Sequence, residues 1–254
     1  MKSLENRTVL VVDDEQDLRE MVAFEFELRG SRVLAAGNGE DALDIVESES
    51  VDAVVTDIRM SGCDGIELLN KLRARNPLRP AVVFITAYDS DLSPCEAYRM
   101  GAEGIFAKPF SLKELVSNVE RALVPPEQRW SAPPATRPAH TIECRWPDLD
   151  TPRHAGWFEL GKGGLAVMAK IRGIMPGETV VFDIRLGTGP VRRIEGCGVV
   201  RWAKQGADLG VACCGIEFVH LSDECRPSIL EWMKELQPKA FIPTLRGCPG
   251  ARSD

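Results

Sequence analysis

The chain has 254 residues, 44% of them hydrophobic and 27% charged, with a formal net charge of -7. That composition is ordinary for a globular protein and the length suits two domains. No apolar run approaches the roughly 20 residues of a membrane span. MKSLENRTVL turns at once into a short apolar stretch without a secretion-signal pattern, so a cytoplasmic protein with no membrane insertion is expected. Charge is uneven: residues 1–124 hold 14 Lys/Arg against 23 Asp/Glu, and 125–254 hold 17 against 15, which argues against nucleic-acid binding by the acidic half.

In chain order, TVLVVDD, LREMVAFEFELRG, SRVLAAG, GEDALDIVES, VDAVVTD, GIELLNKLRAR, AVVFITA, a helical stretch near Leu92–Met100, GIFAKP and LKELVSNVERAL alternate short apolar runs with amphipathic ones. Such alternation predicts parallel strands with helices on both faces. From Val124 to His140 five prolines in 17 residues forbid a regular helix and predict an extended connector. The expected divisions are therefore 1–124, a linker over 125–140, a second domain over 141–237 and a loose tail over 238–254. In the second domain the period becomes that of strands, in HTIECRW, GWFELGKGGLAVMA, ETVVFDIRL, VRRIEGCGVVRWA and LGVACCGIEFVHL, punctuated by turns such as Gly187–Pro190. A small β-barrel or sandwich is expected, the antiparallel barrel being preferred, closed by a helix over Asp223–Leu236 with cap chemistry at Ser222-Asp223-Glu224. The fold class is thus α/β plus β. Eight cysteines occur without a C-x-x-C pair, so idle thiols are expected rather than a zinc site.

Four apolar runs of the first half end on chemistry: Asp13 and Asp14, Asp57, Thr86, and Lys108. The carboxyl ends of parallel strands line one rim, so these side chains should converge. Three carboxylates facing one lysine call for a hard cation, and Mg²⁺ suits carboxylate, water and phosphate oxygens. A carboxylate beside such a cation and an ammonium can attack phosphorus and form an acyl phosphate; Asp57 suits that role. VVDDE, TDIRM, ITA and AKPF stand in the order and approximate spacing of one family. Over about residues 6–124 the chain resembles a response-regulator receiver domain. The resemblance implies a five-stranded, doubly wound, flavodoxin-like fold, with Asp57 as phosphoacceptor and a histidine kinase or phosphotransfer protein as donor. It also implies that Asp13, Asp14, Asp57 and the Arg59 carbonyl hold Mg²⁺, that the Thr86 hydroxyl reports the phosphorylated state, that Lys108 pairs with the phosphate, and that Lys108-Pro109 is cis.

Two positions depart from that family. Met60-Ser61-Gly62 replaces the usual Met-Pro-Gly, and Ile105 stands where the family carries a Tyr or Phe that relays the signal. The neighbouring Phe106 points to the other face of its strand, toward the core. Phosphorylation with an altered relay is the expectation.

The second domain carries no basic recognition helix, so DNA is not an expected partner, and no catalytic cluster, so no enzyme is expected. GWFELGKGGLAV, MPGETVVFDI and IEGCGVVRWA through SILEWM resemble the PilZ family in order over about residues 138–237. That family implies cyclic di-GMP binding through an Arg-x-x-x-Arg segment and an Asp/Asn-x-Ser-x-x-Gly loop. Here the loop reads Glu159 to Gly164 with Gly161 for Ser, and no Arg-x-x-x-Arg occurs. Arg129, Arg137, Arg145, Glu159, Lys162 and Gly164 remain as candidate ligand residues. The competing reading is a degenerate barrel that binds a target protein, with Trp157, Phe158 and Trp202 either as its recognition patch or as core. A homodimer through the last helix and strand of the first domain is a further arrangement.

Overall fold

The structure, a computed structural model, describes residues 4–87, 92–125, 128–131, 137–189, 191–205 and 210–245. The rest of the expected linker (126, 127 and 132–136), Pro190 of the Gly187–Pro190 turn, and residues 246–254 of the expected tail lie outside the described residues. Two compact units form: residues 1–93 with 100–124, and residues 94–99 with 125–254.

The first unit is built on β1 (Thr8–Val12), β2 (Arg32–Ala36), β3 (Ala53–Asp57), β4 (Ala81–Thr86) and β5 (Gly104–Ala107), all parallel in the order β2-β1-β3-β4-β5. β3 and β4, AVVTD and AVVFIT, are buried along their whole length. A parallel strand covered on both faces reads as an unbroken apolar run. The helices are α1 (Gln16–Leu28), α2 (Gly39–Ser48), α3 (Gly65–Arg75) and α5 (Leu112–Leu123). Asn38, Asp64 and Ser111 start the last three by accepting N–H bonds from Asp41, Glu67 and Glu114, as short polar N-caps do. The doubly wound, flavodoxin-like arrangement matches the expectation. Phe106 packs against the core made by Val9, Phe26, Val55, Val83 and Leu115, and Lys108-Pro109 is cis, as is Arg79-Pro80.

The second unit takes in most of α4 (Pro94–Met100), and continues as β6 (His140–Trp146), α6 (Asp150–His154), β7 (Phe158–Leu160), β8 (Gly164–Ala169), β9 (Thr179–Leu186), β10 (Arg193–Gln205), β11 (Ala212–Leu221) and α7 (Arg226–Leu236). One six-stranded sheet runs β6-β9-β10-β11-β8-β7. It differs from the expected antiparallel barrel in two ways. β6 and β9 are parallel, because β7 and β8 intervene in sequence and return the chain to the same end. The sheet is also a curled half-barrel, not a closed ladder: its edge strands approach through side chains, with Trp146 and Phe158 rings 5.4 Å apart. Its core includes Phe158, Phe182, Ile194, Ile216, Phe218 and Trp232.

Three further differences concern local readings. GWFELGKGGLAVMA is a hairpin, β7 and β8, folded over Gly161–Gly163. The closing helix begins at Arg226, not Asp223, since the Cys225 and Arg226 N–H groups first turn back onto the Ser222 carbonyl; Cys225 is its N-cap, without a side-chain capping bond. The segment after α7 is not loose up to residue 245: Phe241, Ile242 and Leu245 are buried with Tyr98, Ala166 and Trp202. No disulfide joins the seven described cysteines, and among the described residues no helix is long and apolar enough to cross a membrane.

Candidate functional site

Because β1, β3, β4 and β5 lie side by side and run the same way, their carboxyl ends open on one rim. Asp13 follows β1, Asp57 ends β3, Thr86 ends β4 and Lys108 follows β5. The Lys108 N–H donates to the Thr86 carbonyl at 2.7 Å, which fixes where its side chain departs. From there Nζ reaches Asp57 Oδ2 at 2.6 Å and Asp13 Oδ2 at 3.3 Å. Both aspartates are oriented by their own loops. Asp13 Oδ1 accepts the Glu15 N–H at 2.8 Å and Asp57 Oδ1 accepts the Arg59 N–H at 3.0 Å. Each carboxylate therefore spends one oxygen on the backbone and turns the other toward a common point.

Asp13, Asp57 and Thr86 are buried, at 2%, 6% and 3% exposure, so the charges interact in a medium that screens poorly. Burial raises the Asp13 carboxyl above its ordinary range, and the Asp57 charge adds to that; the Glu15 N–H and Lys108 pull it only partly back. For Lys108 burial works against the ammonium, but Asp57 and Asp13 outweigh it and the group is held above the usual lysine value. The ammonium is thus fixed in its charged form.

Asp14 is exposed beside this cluster, and among the described residues no three Asp, Glu, His or Cys side chains form a ready-made cation cage. Two buried carboxylate oxygens meeting at one point still fit Mg²⁺, which is commonly held by one or two carboxylates together with water and phosphate oxygens. The loop that follows Asp57 is held by residues that the sequence reading missed. Both Glu40 carboxylate oxygens accept the Cys63 N–H, at 2.9 and 3.0 Å, and the Gly39 N–H donates to the Cys63 carbonyl at 3.1 Å. At Gly65 a Cβ would collide with the Asp57 carbonyl. The Asn38-Gly39-Glu40 helix start was a visible signal for the first contact; the long-range closeness of Gly65 had none.

The candidate ligand residues of the second unit are not drawn together in this way. Arg137 and Arg145 are exposed, Arg129 is half-buried and Lys162 is buried. Glu159 pairs with Arg153 at 3.0 Å, a partner that the sequence reading did not name. Gly164 lies against the Ile216 carbonyl in the β8–β11 ladder. Of these candidates only Glu159 lines a cleft of about 250 Å³, together with Asp150, Arg153, His154, Phe158, Thr244 and Leu245. That is below the roughly 300–1,000 Å³ of clefts that take drug-sized ligands. Phe158 and Trp202 are core residues at 0% and 5% exposure, whereas Trp157 is 46% exposed.

Residues 9–120 match the response regulator receiver domain family. Among solved structures, the receiver domain of Francisella response regulator 1452 is 32% identical, with 46% of this chain and 97% of that one covered and a TM-score of 0.44. The Thermotoga maritima response regulator TrrA, solved in complex with Mg²⁺ and BeF, is 32% identical over 46% of this chain and 99% of that one, with a TM-score of 0.43. The receiver domain of Brucella abortus NtrX is 32% identical over 45% and 97%, with a TM-score of 0.43. The chain belongs, through residues 9–120, whose parallel strands bring Asp13, Asp57, Thr86 and Lys108 to one rim, to the response regulator receiver family.

Proposed function

We propose that this protein is a cytoplasmic two-component response regulator whose Asp57 is phosphorylated by a histidine kinase or phosphotransfer protein. The observation that carries this reading is the meeting of Asp57 Oδ2, Asp13 Oδ2 and Lys108 Nζ at one buried point. Asp57 Oδ2 attacks the phosphorus, the bond to the donor nitrogen breaks, and that nitrogen keeps the electron pair and takes up a proton. Lys108 follows the charge from the carboxylate to the phosphoryl oxygens, and the Thr86 hydroxyl closes on the same group. Asp13 and Asp57, with the Arg59 carbonyl and the exposed Asp14 at the rim, are the residues to hold Mg²⁺. When bound, the ion would neutralise negative charge growing on the phosphoryl oxygens.

The second unit is then the output, a PilZ-like module that binds a target protein, with no catalysis of its own and no DNA contact. Cyclic di-GMP is the less favoured ligand, because no Arg-x-x-x-Arg segment occurs, Lys162 is buried and Glu159 is engaged by Arg153. Incubation with labelled acetyl phosphate and Mg²⁺ tests the acceptor. The wild-type chain should take up label and Asp57→Ala should not; equal labelling of the two would sink the assignment.

A further inference from the structure

The hairpin turn between β7 and β8 carries an interaction that the receiver chemistry does not use. Gly161 closes the turn by donating to the Gly164 carbonyl at 2.8 Å, and the next two N–H groups point away from it. The Lys162 N–H donates to the Ala240 carbonyl and the Gly163 N–H to the Phe241 carbonyl, both at 2.9 Å. Successive amides thus hold successive carbonyls of a segment that bends at Phe241 and Ile242. α7 ends at Leu236, and the left-handed Gln237, with φ 41°, turns the chain toward this loop. The glycines are required by what lies there. A Cβ on Gly161 would stand 2.6 Å from the Phe241 carbonyl oxygen and 2.7 Å from that of Ala240, and one on Gly163 would collide with the Phe241 ring. Phe241, Ile242 and Leu245 are buried at 6%, 0% and 2% exposure. The Phe241 N–H also donates to the Tyr98 carbonyl at 2.8 Å, from the 94–99 segment that belongs to this unit.

We propose that Gly161-Lys162-Gly163 is a peptide-binding clamp, that Lys239–Leu245 is its tethered occupant, and that the partner it takes is a short peptide carrying an aromatic residue followed by an aliphatic one, bent as the resident segment is. The two backbone amides hold the peptide carbonyls whatever its side chains, and the pockets beneath supply the choice of side chain. The Phe241 ring over Gly163 and the fully buried Ile242 define that choice here. A tether of a few residues keeps the occupant at a millimolar effective concentration, so a competing peptide enters only when the tail lets go. The inference rests on reading the second unit as an interaction module. Calorimetry of the wild-type chain with cyclic di-GMP decides that reading, and the peptide measurement below decides the clamp.

The probe is a fluorescein-labelled peptide of sequence PKAFIPTL, titrated by anisotropy against full-length chains. Phe241→Ala removes the anchor of the resident tail, so this chain should bind the probe at least roughly tenfold more tightly than the wild type. A Gly163→Ala/Phe241→Ala chain should lose that gain, because the methyl group fills the ring's place. Equal binding by folded Phe241→Ala and wild-type chains overturns the proposal. Should Phe241→Ala not fold, a chain with a protease site inserted after Gln237 can be folded first and cut afterwards. Entry of the probe into the cut but not the uncut chain supports the clamp, and no entry into either overturns it.

Discussion

Asp13 shows what the acceptor cluster demands of a single side chain. Its carboxyl is held above the ordinary aspartate value of about 3.9 by burial and by Asp57. A raised folded-state value means that the folded protein keeps the proton longer than the unfolded chain does. Stability is therefore lost as pH rises from the ordinary value through the folded one, and the loss persists at neutral pH. Asp13→Asn removes that charge and can keep an oxygen for the Glu15 N–H. In Mg²⁺-free buffer it should melt above the wild type at pH 7, and the two curves should converge below about pH 4. A lower melting temperature for Asp13→Asn at pH 7 would show that the Lys108 contact outweighs the like-charge cost. Added Mg²⁺ should raise the wild-type melting temperature and do so less for Asp13→Asn, since a cation that binds only the folded state stabilises it.

Elements, not single residues, decide how well the rim is aligned. Arg73 on α3 is buried at 4% exposure and donates to the Pro80 carbonyl at 2.8 Å, to the Gly101 carbonyl at 2.9 Å, and to Glu103 at 3.1 Å. Glu103 in turn accepts the Val82 N–H at 2.8 Å. The pair ties α3 to the starts of β4 and β5, at the end of the sheet opposite Asp57. Glu103→Ala leaves a buried guanidinium without its counter-charge, so about 3–5 kcal/mol should be lost in urea unfolding. Arg73→Met/Glu103→Leu, which replaces both charges with apolar bulk, should recover most of it; a single variant within about 0.5 kcal/mol of wild type would refute the role. This pair also marks the limit of legibility. β3 and β4 were readable because strands buried on both faces write continuous Val-rich runs, and the helix starts were readable at Asn38, Asp64 and Ser111. Arg73 and Glu103 look in sequence like any surface charges, and only the sheet brings them together. α6 was missed although Asp148, which accepts the Thr151 N–H at 2.6 Å, and Pro152 were both start signals; five residues are too few to show a period.

At the scale of the whole molecule, the expected break near residue 124 fails to describe the second unit, because Pro94–Arg99 belongs to it. Nothing in PCEAYR separates it from the helices on either side, since a single amphipathic turn looks the same whichever core receives it. The tail was illegible for a related reason. KAFIPTL has no period and contains a proline, so it reads as a loop, and a buried loop is stable only when its carbonyls find donors; those donors are amides near residue 162, about eighty positions earlier. A cut at residue 124 therefore leaves the second unit incomplete and strands Pro94–Arg99 on the first fragment. Cys95 is buried at 8% exposure among Ala166, Trp202, Cys213 and Phe241, none of which a 1–124 fragment contains. Its thiol should react with a disulfide reagent many-fold faster in that fragment than in the full chain. A 125–254 fragment, without Cys95 and Tyr98, should melt below the corresponding transition of the full chain, because apolar surface that they cover returns to water. Equal thiol reactivity in the two chains would mean that Pro94–Arg99 is held by the first unit alone. A protected thiol in the full chain would make residues 125–254 the wrong object for a binding study, and would require ligand and partner measurements to be made on the intact protein.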